Sequence, residues 1–305
     1  MKHAHYSERD AAWFEEVADT IARGRATLFT PRELADAALT LLATTDTGAP
    51  SETAVRSLLV TNPQPDVSAT ALVLIALARS GNAARQRCHA TIHDGLNFLL
   101  ATQNRDGGWP AFDCAPKADP SCPAVTAQIL EALGNFGFRF GQSPVDAAVR
   151  FVLSRQAESS EWLNKSGTNT LQTTWQVFAG LHAVGFDVFA LPVRRAVRCL
   201  KESQREDAGW GGSTASETAW AVLALLAAGE GENAEVRAGA EFLVGTQHAD
   251  GTWREPGATY FALMALGRYL NDRTKPAEVQ KVFVRADNAL RASGPKVYRH
   301  TLAEM

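Results

Sequence analysis

Charge of one sign is missing from this chain. Its 30 Lys and Arg nearly balance 33 Asp and Glu, which leaves a formal net charge of −3. That composition carries no basic footprint for a phosphate backbone, so nucleic acid is excluded as a partner. Cysteine is scarce as well. Cys88, Cys114, Cys122 and Cys199 are scattered without a disulfide framework, which fits a reducing cytoplasm. No segment approaches the roughly 20 apolar residues of a membrane span. The first residues lack the apolar run of a secretory signal. No stretch alternates apolar and polar residues as half-buried strands do.

What the chain does have is a rare residue at a fixed offset. Gln103, Gln156, Gln204 and Gln247 are each followed six positions later by tryptophan, at Trp109, Trp162, Trp210 and Trp253. The first and last copies share Gln-x-x-Asp-Gly-x-Trp. The copy at Gln204 keeps Asp207 but has its glycine displaced to Gly209, and the copy at Gln156 keeps only its ends. The spacing between copies, roughly 40–55 residues, suits one helical hairpin each. A second register runs beside it. Thr70, Thr126, Thr174, Thr218 and Thr259 each precede a leucine by seven positions, and a small residue stands before each leucine.

The threonine-led helices are apolar nearly all round, which predicts burial. The segments ending in the motif glutamines have one charged face and read as an outer layer. The spacing predicts inner helices near 31–44, 66–80, 123–136, 169–184, 215–229 and 257–271. Gly81, Gly137, Gly185 and Gly229 follow inner helices where a left-handed cap favours glycine. Thr30-Pro31-Arg32-Glu33 is a capping box with proline at the first helical position, and Ser7-x-x-Asp10 opens a first outer helix. The expected fold is all-α: an (α/α)6 barrel with six inner and six or seven outer helices. It forms a single domain over 1–305, with a C-terminal helix and tail at 275–305.

Gln103-Asn-Arg-Asp-Gly-Gly-Trp-Pro-Ala-Phe-Asp113, Ser216-Glu-Thr-Ala-Trp220 and Ala265-Leu-Gly-Arg-Tyr269 resemble the squalene-hopene and oxidosqualene cyclases, whose QW repeats read Q-x-x-D-G-x-W. The likeness covers roughly residues 60–271, the catalytic barrel of that family. It implies that the motif is structural, with glutamine capping a neighbouring helix end and tryptophan stacking on it. It also implies an aromatic-lined cavity that stabilises carbocations, to which Phe112 would belong.

The resemblance places the family's proton donor, the central Asp of D-x-D-D-T, within Asp66-Val67-Ser68-Ala69-Thr70. Ser68 stands at the acid and Ala69 at the next Asp. A hydroxyl cannot protonate an alkene, which needs a strong acid in a dry site. Asp66 is therefore one candidate acid, with helix capping as its alternative role. Glu217 is the other, with first-turn helix charge as its alternative. The candidate substrate-binding residues are Ser68, Phe112, Cys122, Gln172, Trp175, Trp220 and Tyr260. Several polar groups, Cys122, Gln172, Ser216, Glu217 and Glu255, sit near inner-helix N-termini, where anions are favoured. Phe261 could line the cavity with Trp175 and Trp220, or all three could be core.

His89 and His93 stand one helical turn apart beside Cys88, but no closed zinc pattern accompanies them. No metal and no cofactor are called for. The expected partner is an isoprenoid or other polyene. A basic stretch (Lys275, Lys281, Arg285, Arg291, Lys296, Arg299) is compatible with a solvated face or a peripheral membrane contact, and a homodimer is compatible with the sequence. Three functions stay open: a non-standard cyclase or isomerase acting on a polyene, a non-catalytic barrel that binds an isoprenoid or lipid, and a subunit of a larger cyclase-like complex.

Overall fold

The computed structural model describes residues 67–79, 85–86, 89–110, 121–163, 169–253 and 257–271, together with residues 279, 282, 285, 286 and 289. The expected helices before residue 66, both N-terminal capping boxes, Gly81 and most of the basic C-terminal stretch lie outside the described residues.

Among the described residues the regular elements are helices. They are α1 (Val67–Arg79), α2 (His89–Ala101), α3 (Pro123–Asn135), α4 (Ser143–Ser154), α5 (Thr170–Ala183), α6 (Leu191–Glu202), α7 (Ala215–Ala227), α8 (Ala234–Gly245) and α9 (Ala258–Asn271). The odd-numbered helices are the threonine-led ones, and they pack in ring order: α1 on α3, α3 on α5, α5 on α7, α7 on α9. The even-numbered helices lie outside, α2 on α1, α4 on α3, and α8 on both α7 and α9. This is the inner and outer alternation of an α/α barrel. The inner-helix bounds agree with the sequence expectation to within two residues over all five helices described.

Small residues set how closely the ring closes. A Cβ added to Gly180 would lie 2.3 Å from the Ala127 carbonyl oxygen, and one on Gly134 would lie 2.5 Å from the Ala183 backbone. The backbones of α3 and α5 therefore meet where only glycine fits. Inner helices end alike. Gly137, Gly185 and Gly229 have φ of 96°, 74° and 79°. The next N–H donates back to Leu133, Leu181 and Leu225 at 3.1, 2.9 and 2.9 Å. Those leucines close the sequence repeat, so one register defines both the core and the helix end.

The glutamine–tryptophan unit is a hydrogen-bonded joint that recurs four times. Each glutamine donates through Nε2 to two carbonyls. One belongs to the residue four positions on: Gly107, Ser160, Ala208 and Gly251. The other belongs to the following segment: Pro144 in α4, Pro192 in α6, Glu235 in α8, and Val282. Each tryptophan donates through Nε1 to the preceding outer helix, at Leu99, Val152, Leu200 and Leu243, over 2.8 to 3.1 Å. Those carbonyls lie in the last helical turn. The division of labour thus differs from the expected one. The tryptophan N–H adds a second donor to a carbonyl that already accepts from the helix end, as Val152 does from the Arg155 N–H and Leu200 from the Ser203 hydroxyl, while in three copies the glutamine meets a carbonyl of the neighbouring first turn.

In three copies the tryptophan backbone N–H donates to the hydroxyl of an inner-helix threonine: Thr126 at 3.0 Å, Thr218 at 3.2 Å and Thr259 at 3.1 Å. In these three copies the two sequence registers are therefore physically one device, in which the loop from the outer helix is pinned to the next inner helix. In the degraded copy at Gln156 the equivalent Thr174 hydroxyl is buried without a partner among the described residues.

Candidate functional site

The inner-helix N-termini share one barrel end with these joints. Val67 is the first residue of α1, and Ser68, next to it, sends its hydroxyl to Gln128 Oε1 of α3 at 2.9 Å. The position that the resemblance assigns to the acid is thus a hydrogen-bond donor to a neutral amide. Cys122 precedes α3 as a buried N-cap residue. Its backbone N–H donates to the Trp109 carbonyl at 2.7 Å, which ties it to the joint. Gln172 is half-buried in the first turn of α5. Asp66, Phe112 and Glu255 lie outside the described residues, as does the side chain of Tyr260.

Glu217 is held by its own loop. Oε2 accepts from the Gly212 N–H at 2.8 Å and the Thr214 hydroxyl at 3.0 Å, and Oε1 accepts from Asn169 Nδ2 at 2.8 Å. The Glu217 N–H in turn donates to Thr214 Oγ1 at 3.2 Å. Both carboxylate oxygens are engaged as acceptors, and Asn169 is itself the N-cap of α5, with Oδ1 accepting from Leu171. Glu217 therefore links the starts of α5 and α7. The spacing Thr214-x-x-Glu217 is a capping-box signature that reveals this role in the sequence.

Three aromatics converge inside the ring. The Trp175 and Phe261 rings meet edge to face at 5.8 Å, and Trp220 and Phe261 do so at 5.2 Å. Trp175 belongs to α5 and Phe261 to α9, and α7 lies between those two helices in ring order. Trp175 therefore reaches across the barrel interior rather than to its neighbour. Edge-to-face geometry is the favoured arrangement of aromatic quadrupoles.

Polar groups share this level. Gln128, Gln176, Trp220 and Phe261 each stand two positions after the repeat threonine of their helix. The Trp220–Phe261 contact confirms that this register position faces the interior. The Gln176 Oε1 atom and the indole Nε1 atoms of Trp175 and Trp220 are buried with no hydrogen-bond partner among the described residues. Gln128 and Gln176 were not among the expected site residues. The threonine register, counted two residues further, would have found them.

The opposite barrel end carries a different feature, an open cavity of about 480 Å³ at the C-termini of α3, α5, α7 and α9. Glu131, Asn135, Arg139, His182 and Arg268 line part of it. Arg139 donates to the Gly134 carbonyl at 2.6 Å, and Arg268 lies 3.8 Å from Glu131. Cationic side chains here complement helix C-terminal carbonyls. The walls are charged and suit an apolar polyene poorly. On the outer layer, His93 is exposed on α2 and its ring meets Asn97 one turn on. Among the described residues no group of three His, Cys, Asp or Glu side chains could hold a metal, and no helix is long and apolar enough to cross a membrane.

A ring of buried helices, an outer layer jointed to it, and an aromatic interior define a barrel of the terpene-cyclase type. Residues 59–269 match the squalene-hopene cyclase C-terminal domain, and the chain belongs to that family. It is 35% identical to the squalene–hopene cyclase of Alicyclobacillus acidocaldarius, over 67% of this chain and 40% of that enzyme. It is 32% identical to the sporulenol synthase of Bacillus subtilis, over 69% of this chain and 40% of that one. The chain thus spans about two-fifths of the length of the curated relatives it matches. Among solved structures, the type II terpene cyclase MstE from Scytonema aligns over 93% of this chain and 99% of its own, with a TM-score of 0.54 and 15% identity. A variant of that cyclase was solved with geranylgeranyl dihydroxybenzoate as substrate. At 15% identity the likeness speaks for the fold alone.

Proposed function

We propose that the protein is a non-standard terpene cyclase-like enzyme that cyclises or isomerises an isoprenoid or related polyene inside the barrel. The observation that carries this reading is the Trp175–Phe261–Trp220 cluster, built by three inner helices on the interior of a cyclase-family barrel. Aromatic faces of this kind stabilise cationic intermediates in a site where water is scarce. Asp66 is proposed as the general acid, because Ser68 occupies the usual position with a hydroxyl directed at Gln128. Glu217 supports the same barrel end by fixing the loop before α7. The small-molecule partner is an isoprenoid, and the reaction is of isomerase or lyase type without a cofactor.

A second reading is favoured by the same serine. A barrel without the family acid binds an isoprenoid and presents it to a partner, or serves as a subunit of a larger cyclase-like complex. One experiment separates these. Purified protein is incubated with squalene, farnesyl diphosphate and geranylgeranyl diphosphate, and products are identified by gas chromatography with mass detection. Turnover by the wild type that is abolished in Asp66→Asn supports the enzyme. Unaltered product from that variant removes Asp66 as the acid. Binding without product in the wild type favours the carrier.

A further inference from the structure

Native proteins leave few buried polar groups unpaired, so three at one level of a barrel require an explanation. The Nε1 donors of Trp175 and Trp220 and the Oε1 acceptor of Gln176 all lack partners among the described residues. Both indoles flank the one ring of Phe261. Gln176 is the residue after Trp175 and shares the interior register of Trp220 and Phe261. Trp175 is 5% exposed and Gln176 6% exposed, so bulk water does not compensate them. Leaving such a group unsatisfied carries its full desolvation cost. An apolar side chain would avoid that cost, and the neighbouring inner helices show that apolar residues fill this fold readily.

The character of the set defines its complement. Two N–H donors alone would suit any acceptor, an anion included. An amide oxygen beside them repels an anion and needs a donor. A neutral group that both accepts and donates, a hydroxyl, satisfies both kinds. The amide Gln128 extends the same level and is already engaged as acceptor to Ser68, so the neighbouring inner helix is polar at this register too. A pure hydrocarbon could satisfy none of these groups.

We infer that the barrel interior holds a hydroxyl-binding subsite, formed by Trp175, Gln176 and Trp220, and that its ligand is an isoprenoid alcohol rather than an all-carbon polyene. The inference rests on the isoprenoid reading above and narrows its substrate class. It does not depend on Asp66 or on turnover.

The test is a comparison of ligands by equilibrium binding. Titration calorimetry is run with geranylgeraniol, its methyl ether and the corresponding hydrocarbon without the oxygen. Wild-type protein is expected to bind the alcohol about tenfold more tightly than the hydrocarbon, the equivalent of one well-made hydrogen-bond set. The ether, which has lost its donor, should fall between them. Gln176→Leu should erase the difference between alcohol and ether while the hydrocarbon binds as before. Trp220→Phe should reduce the preference for both oxygenated ligands, with circular dichroism confirming the fold of each variant. Equal wild-type affinity for all three overturns the subsite and assigns the unpaired groups to trapped water. Binding of none overturns the isoprenoid reading itself, and the subsite with it. Alcohol preference that survives in both variants overturns the residue assignment.

Discussion

At the fourth position after each motif glutamine the chain enters the left-handed region, with φ of 91° at Gly107, 72° at Ser160, 68° at Ala208 and 89° at Gly251. The turn needs this because the carbonyl of that residue must face back toward the glutamine amide. Two copies use glycine and two do not. An L-residue in this conformation crowds its Cβ against a carbonyl at a cost of about 1–2 kcal/mol. Ala208→Gly removes that strain. It also loosens the unfolded chain, which returns about 0.4–1 kcal/mol. The net expectation is a gain of about 0.5–1 kcal/mol.

The reverse exchange at Gly107 is not symmetrical. A Cβ there would lie 2.4 Å from the Ala147 carbonyl oxygen and 2.6 Å from its carbon, both in the backbone of α4. Backbone in a helix cannot give way as a side-chain tip can, so α4 must shift or the turn must open. Gly107→Ala should therefore cost about 2–4 kcal/mol, strain and clash together. Urea unfolding followed by circular dichroism at 222 nm measures both, with an unchanged slope showing that the unfolded state is comparable. A gain at position 208 and a loss at position 107 support the turn geometry. A destabilised Ala208→Gly, or a Gly107→Ala within about 0.5 kcal/mol of wild type, would refute the reasoning.

Gly180→Ala should destabilise by about 2 kcal/mol or more, because its Cβ would strike the Ala127 carbonyl at 2.3 Å. By contrast Gly245→Ala, at the end of α8 with nothing within 4 Å, should gain about 0.5 kcal/mol; both are read from thermal and urea midpoints. Glu230 accepts from Arg194 and Asn233, and from Lys201 at 2.6 Å. Burial pushes its carboxyl upward, but the hydrogen bonds and charges of Lys201 and Arg194 outweigh this and hold it below the usual range. Its contribution is therefore present above the unfolded value of about 4.3 and lost as pH falls through the lower folded one. Glu230→Gln should cost about 1–2 kcal/mol at neutral pH and flatten the acid limb of the stability profile. A limb of unchanged slope would show that other carboxylates set it.

Much of this fold was legible because one period carries it. The threonine-to-leucine interval marked the inner helices, and the glycines beyond them marked their ends, since helix and cap obey one geometry. The glutamine–tryptophan offset marked the loops. What the offset did not disclose was the direction of the hydrogen bonds, because a side-chain amide can donate or accept and only the turn at Gly107 or Gly251 settles which. The site was less legible. Trp175 and Trp220 stand out as aromatics on inner helices, whereas Gln128 and Gln176 read as ordinary polar residues, and only their register, two positions after the threonine, sets them on the interior face. Glu217 reads as a carboxylate near a helix start, and the threonine three residues before it explains why it is there.

The same register explains how a scaffold can outlast its chemistry. Joint residues and site residues come from different positions of one repeat. The threonine hydroxyl and its leucine serve the outer loop and the core, so changing Thr126, Thr218 or Thr259 breaks a buried bond to the joint. Thr174, unpaired beside the degraded joint, illustrates what such a break leaves behind. The residue two positions after the threonine faces the interior and answers only to what lies there. It is Gln128, Gln176, Trp220 and Phe261 on successive inner helices, a set without a common size or polarity. Ser68 belongs with this freer class: its hydroxyl is bonded to Gln128 on the neighbouring inner helix. The barrel can therefore exchange acid for serine, and apolar lining for amide, without disturbing the bonds that hold its loops. The interior level is then the part of the chain from which the ligand should be read.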